Sequence, residues 1–102
     1  MISLKDLHDA TLVNLELDWA SGDLSFNFRP SIMGSPTLCL AAHGLTLLKC
    51  PREYPWGRSV SVNTARADDL DGKILLLVEM QSGDVIEAII KEMSLAFVDS
   101  LP

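Results

Sequence analysis

The sequence predicts one mainly β domain, an antiparallel sheet folded as a small sandwich or partly open barrel. It opens on a short N-terminal helical turn, and a C-terminal helix is the alternative ending. Three observations carry this prediction. Apolar and polar residues alternate with period two in several short segments. Turn signals rich in Gly, Pro, Ser and Asp interrupt the chain at short intervals. The chain has 102 residues, 48% of them hydrophobic, which is enough for one core and too little for two domains.

Ser3 to Ala10 supplies a capping serine followed by Leu4 and Leu7 at helical spacing, which fits a single helical turn. Alternation then begins. Val13, Leu15, Leu17 and Trp19 are expected on one face of a strand and Asn14, Glu16 and Asp18 on the other. After Ser21-Gly22-Asp23 the pattern resumes with Leu24, Phe26 and Phe28 against Ser25, Asn27 and Arg29, the signature of a hairpin. The turn-rich stretch Pro30 to Pro36 ends it, and Thr37 to Cys50 reads as two strands or one bent strand interrupted at His43-Gly44. If that interruption were a tight turn, Cys39 and Cys50 would lie diagonally, at roughly 7 to 8 Å, too far for a relaxed disulfide, so free thiols are expected.

Pro51 to Gly57 is predicted to be a loop. Beyond it Val60 and Val62 alternate with Ser59, Ser61 and Asn63 as a one-sided strand, and Asp68 to Gly72 reads as an exposed turn. Lys73 to Met80 is apolar on both faces and should lie centrally in a sheet. Gln81 to Asp84 then returns the chain into Val85 to Ile90 as a second hairpin. The tail fits two patterns. Ile86, Ile89, Ile90, Met93 and Phe97 form a helical stripe. A strand reading places Val85, Glu87 and Ile89 on one face and requires a break near Lys91-Glu92 before Ser94 to Val98. The hairpin context favours the strands.

Composition also bounds function. Eight basic against fourteen acidic residues give a net charge of -6, which opposes the phosphate neutralisation on which nucleic-acid affinity depends. No apolar run approaches the roughly 20 residues of a membrane span, and no secretory signal pattern follows Lys5. The expectation is a cytoplasmic protein that engages neither nucleic acid nor membrane. The sequence contains no nucleophile elbow, phosphate-binding loop, dinucleotide fingerprint or zinc-protease motif. His8, Asp9, His43 and the cysteines have no metal-ligand spacing, so no catalytic residue, metal or cofactor is expected. Asp9 is expected to accept backbone N–H groups where the helical turn meets the first strand, with His8 holding that junction closed.

The segment Pro51 to Ser59 (PREYPWGRS) is the most distinctive. It concentrates Arg52, Tyr54, Trp56 and Arg58, residue types enriched at interface hot spots, between prolines that restrain the free loop. Two readings stand: a recognition loop, or a fold in which Trp56 and Tyr54 plug one end of the domain while the arginines pair with surface carboxylates. Ser59, Ser61, Asn63 and Gln81, with Glu79, form either a hydrogen-bonding surface or a solvated sheet face. An uncovered strand could also pair with a second copy into a homodimer, although Asp68, Asp69 and Asp71 oppose pairing at their end.

The segments LHDATLVNLELDW, CPREYPWGRSVSVN and EMQSGDVIEA, in that order, resemble a family of small uncharacterised bacterial proteins. The resemblance implies a bacterial, single-domain, β-rich protein and carries no catalytic residues. A looser likeness of size, acidity and architecture links the chain to immunity proteins that neutralise toxins. The functional expectation is a non-enzymatic protein-interaction module with a basic protein partner. The alternative is a small-ligand-binding β domain whose apolar pocket is closed by the 51–58 loop, and self-association is a third reading.

Overall fold

The computed structural model describes residues 3–98. Among the described residues a single 3-10 turn, Leu4–Leu7, precedes eight strands. The Asp6 carboxylate accepts the Ser3 N–H at 2.8 Å, which closes the start of the turn. The strands are β1 (Thr11–Asp18), β2 (Asp23–Arg29), β3 (Thr37–His43), β4 (Leu47–Lys49), β5 (Val62–Leu70), β6 (Lys73–Met80), β7 (Val85–Ile90) and β8 (Glu92–Val98). They form two four-stranded antiparallel sheets, ordered β1-β2-β3-β8 and β4-β7-β6-β5. The fold class is thus the one the alternation predicts, and β6 lies inside its sheet as its two apolar faces require.

The ambiguous stretch is strand, over Val85–Ile90 and Glu92–Val98. Lys91 is the break between β7 and β8, and the chain changes sheets there. The stretch 37–50 is two strands, but they do not pair with each other: β3 lies in the first sheet and β4 in the second. Both crossings share one corner, where the Lys91 N–H donates to the His43 carbonyl at 2.8 Å and the Thr46 N–H donates to the Ile89 carbonyl at 2.9 Å. The expected thiols are present, with Cys39 partly buried and Cys50 exposed.

Three expectations about the strands are corrected. Val13 does not join the inner face. The β1–β2 register shifts between Leu12 and Asn14, so Val13 is the extra residue of a bulge and is 52% exposed, while Leu12, Leu15 and Leu17 oppose Phe28, Phe26 and Leu24. Trp19 lies past the end of β1 and is 88% exposed. The acidic stretch is the second correction, because β5 continues through Asp68, Asp69 and Leu70 paired with Leu75, Ile74 and Lys73. Only Asp71-Gly72 turns, with φ of 56° and 86°, the left-handed pair that a two-residue hairpin of type I′ demands. Strand pairing of β5 begins at Val62 rather than Ser59, and Val60 is exposed.

The core lies between the sheets. Leu24, Phe26 and Phe28 of β2 and Leu38, Leu40 and Ala42 of β3 pack with Leu76, Val78, Ile86, Ala88 and Ile90 of the opposite sheet. Leu7 of the 3-10 turn and Ala10 are also fully buried, which draws the N-terminus onto β5. The chain entering β1 is held to the chain entering β5 by three backbone bonds of 2.8 Å: Asp9 N–H to Val62 O, Val62 N–H to Ala10 O, and Leu12 N–H to Val60 O.

Candidate functional site

The segment between β4 and β5 is a loop because Pro51 and Pro55 cannot donate to a ladder and Gly57 ends the turn. It is held by Asp84, which leads into β7 and is buried. The Asp84 carboxylate accepts the N–H groups of Glu53 and Tyr54 at 3.0 Å each, and the Ser82 hydroxyl at 3.0 Å. Burial alone would raise its pKa. The Tyr54 and Glu53 N–H groups, the Ser82 hydroxyl and the charge of Arg52 outweigh burial and hold the carboxyl below its ordinary value. A further bond runs from the Trp56 N–H to the Ser82 carbonyl at 3.1 Å. The loop backbone is therefore tied to the β6–β7 turn through the N–H groups of Glu53, Tyr54 and Trp56.

The four candidate side chains behave differently on this frame. Tyr54, whose backbone is left-handed at φ 52°, is partly buried. Arg52 donates to its hydroxyl, and the Arg52 and Arg58 guanidinium carbons lie 5.4 and 5.9 Å from its ring centre. Trp56 is 78% exposed and does not plug the domain. Its ring lies across Gly83, where any Cβ would collide with it. Neither arginine forms an ion pair with a carboxylate among the described residues.

Between this loop and β1 lies an open cleft of about 280 Å³, lined by Leu12, Leu15, Pro51, Arg52, Tyr54 and Ile86 among others. Of Arg52, Trp56 and Arg58, only Arg52 borders this cleft.

The polar set Ser59, Ser61, Asn63 and Gln81 is brought together, but its groups mainly bond one another and the N-terminal junction. The Ser61 N–H donates to Ser59 Oγ at 3.2 Å, and the Gln81 N–H donates to the Ser61 carbonyl at 2.8 Å. Asn63 Nδ2 donates to Glu79 at 2.9 Å. Asp9 accepts the Gln81 side-chain amide at 2.6 Å instead of the backbone groups expected of it. His8 does hold the junction, since its Nδ1 lies 2.6 Å from the Asn63 carbonyl and must carry the proton there.

On the outer face of the first sheet, Asp23 and His43 pair across β2 and β3 at 2.8 Å. Their hydrogen bond lowers the carboxyl and raises the imidazole, which the charges of Asp23 and Glu92 raise further. Cys39 is pushed up by burial and by the charge of Glu16. Among the described residues no three His, Cys, Asp or Glu side chains gather as a metal site would require, and no buried side-chain polar atom lacks a hydrogen-bond partner.

Asp84 escapes the sequence reading. It appears there only as the end of a turn, and nothing local signals that its carboxylate serves residues thirty positions earlier. The chain matches no known family model and no curated protein.

Proposed function

We propose that this chain is a non-enzymatic protein-interaction module that docks a protein partner through the loop bearing Arg52, Tyr54, Trp56 and Arg58. The observation that carries the reading is Trp56, a large aromatic left 78% exposed on a backbone that Asp84 and Ser82 already hold in place. A side chain presented this way loses little freedom on binding, and tryptophan, tyrosine and arginine supply most of the energy at interfaces that use them. The two arginines offer local hydrogen-bond donors. The net charge of -6 steers a basic partner at longer range. An acidic inhibitor of a basic protein, after the manner of immunity proteins, is the specific form we favour, within a small bacterial family.

Affinity capture from a lysate of the source organism, with wild type and Trp56→Ala in parallel and identification by mass spectrometry, tests the reading. It expects one protein retained by wild type, lost by the variant and released by salt. Equal retention by a normally folded Trp56→Ala sinks it. The cleft between β1 and the loop supports a second reading, a small amphipathic ligand contacting Arg52 and Tyr54, although its volume lies just below the usual range for such sites, about 300 to 1,000 Å³. Such a ligand would weaken on Arg52→Ala and be indifferent to Trp56→Ala.

A further inference from the structure

β1 and β4 are edge strands of their sheets, and residues of both line one groove. The seam between them is mostly apolar, with Asn14, Arg52 and Asp84 as polar groups at one end. One end is the cleft beside Leu12 and Leu15, and the other is an open groove of about 490 Å³ lined by Leu17, Trp19, Leu45, Leu47 and Leu48. Leu17 is 37% exposed despite opposing the buried Leu24, so the inner face of β1 runs out of cover toward this end.

The backbone on this side is also open. The Leu12 N–H leaves the sheet toward Val60, and past the bulge Leu15 and Leu17 share the face of Leu12. By ladder alternation their N–H and C=O groups likewise point away from β2. Among the described residues no strand pairs with this edge beyond Val13.

We propose that the β1 edge from Asn14 to Asp18 accepts an extended segment of a protein partner as an added strand, one in which apolar and basic residues alternate. The apolar positions cover Leu15, Leu17, Trp19 and Leu48. The basic positions lie beside Glu16 and Asp18, which carry the outward face of β1. Lys49, on the far wall, is already engaged by Glu87 at 3.8 Å.

The same charges argue against a second copy. Antiparallel self-pairing centred on Glu16 sets that residue against itself, and centring on Leu17 sets Glu16 against Asp18 twice. Centring on Leu15 requires the Leu12 edge, which Val60 occupies. This surface meets the loop only at the cleft that Asn14 and Leu15 share with Arg52 and Tyr54, away from Trp56, and the proposal does not depend on that loop being a docking site.

The test is a titration of ¹⁵N-labelled protein with the peptide KVKIKVK, followed by amide shifts, with EVEIEVE as the charge-reversed control. The expected result is saturable shifts centred on the Leu15 and Leu17 amides, at least threefold weaker binding in 300 mM than in 50 mM salt, and at least fivefold weaker binding to Glu16→Lys. Trp56→Ala should bind as wild type does. Absence of saturable shifts at millimolar peptide, equal binding of the acidic control, or shifts centred on 51–58 and lost in Trp56→Ala would each overturn the proposal. So would a concentration-dependent dimer whose own contacts protect the Leu15 and Leu17 amides.

Discussion

Replacing Trp56 by alanine separates a surface aromatic from a structural plug by magnitude alone. A tryptophan buries up to roughly 250 Å² when fully enclosed. With 78% of it exposed, about a fifth of that area, roughly 50 Å², is removed from water. At about 25 cal/mol per Å² the packing of the ring across Gly83 contributes about 1.3 kcal/mol, an upper bound because unfolded chains are themselves partly collapsed. A fully buried aromatic truncated to alanine costs about 3 to 5 kcal/mol. Phe26, with no exposed surface and its ring stacked parallel to Phe28 at 6.0 Å, supplies that comparison within the same molecule. Denaturant unfolding of wild type, Trp56→Ala and Phe26→Ala is the assay. Trp56→Ala should lower stability by no more than about 1.5 kcal/mol with an unchanged denaturant slope, and Phe26→Ala by about 3 kcal/mol or more. A loss above about 3 kcal/mol for Trp56→Ala would mean that the ring is part of the core and that its conformation on Gly83 has been misjudged.

Asp84→Asn keeps the shape but offers one acceptor oxygen where two backbone N–H groups now bind, so hydrogen exchange at Glu53 and Tyr54 should accelerate while core amides stay protected; unchanged exchange would refute the anchoring role. Because the folded Asp84 carboxyl titrates below its ordinary value, the stability it lends is present above that value and lost as pH falls through the folded one, so the loop should open before the core during acidification. The Asp23–His43 pair has a two-sided window. The lowered carboxyl contributes above its ordinary value of 3.8, and the raised imidazole contributes below 6.5 and loses its effect as pH rises through the folded value. The melting temperatures of wild type and His43→Gln should therefore differ between those limits and converge in mild alkali, and a constant difference across the range would count against the linkage. Thiol labelling in the native state should show one fast group, Cys50, and one slow group, Cys39, whose partial burial and neighbouring Glu16 disfavour the thiolate. Equal rates would contradict the partial burial of Cys39.

Much of the fold is legible in the chain because strand periodicity is local. Leu24, Phe26 and Phe28 alternate so regularly that the inner face of β2 follows directly, and the apolar doubling of Lys73 to Met80 marks an interior strand. The errors occur where a local pattern is overridden from a distance. Val13 and Trp19 continue the alternation of β1 on paper, but the bulge removes one from the inner face and the strand ends before the other. Asp68 and Asp69 have poor strand propensity, yet pairing with Leu75 and Ile74 extends β5 through them. At the candidate site the loop residues announce themselves by composition, whereas their anchor, Asp84, looks like any other turn aspartate.

What the sequence determines by itself is the class of fold, most strand positions, free thiols, and a loop unusually rich in aromatic and guanidinium groups. These depend on neighbours within a few positions, or on composition, and a linear reading has access to both. The tertiary structure decides that β3 and β4 part company into different sheets, that Trp56 lies outside the core, and that β1 from Asn14 to Asp18 keeps an edge unpaired among the described residues, beside an apolar groove. Each of these outcomes is a choice of partner between segments tens of residues apart. Alternation says which side of a strand is apolar, but the strand that covers it is selected by the packing of the whole domain.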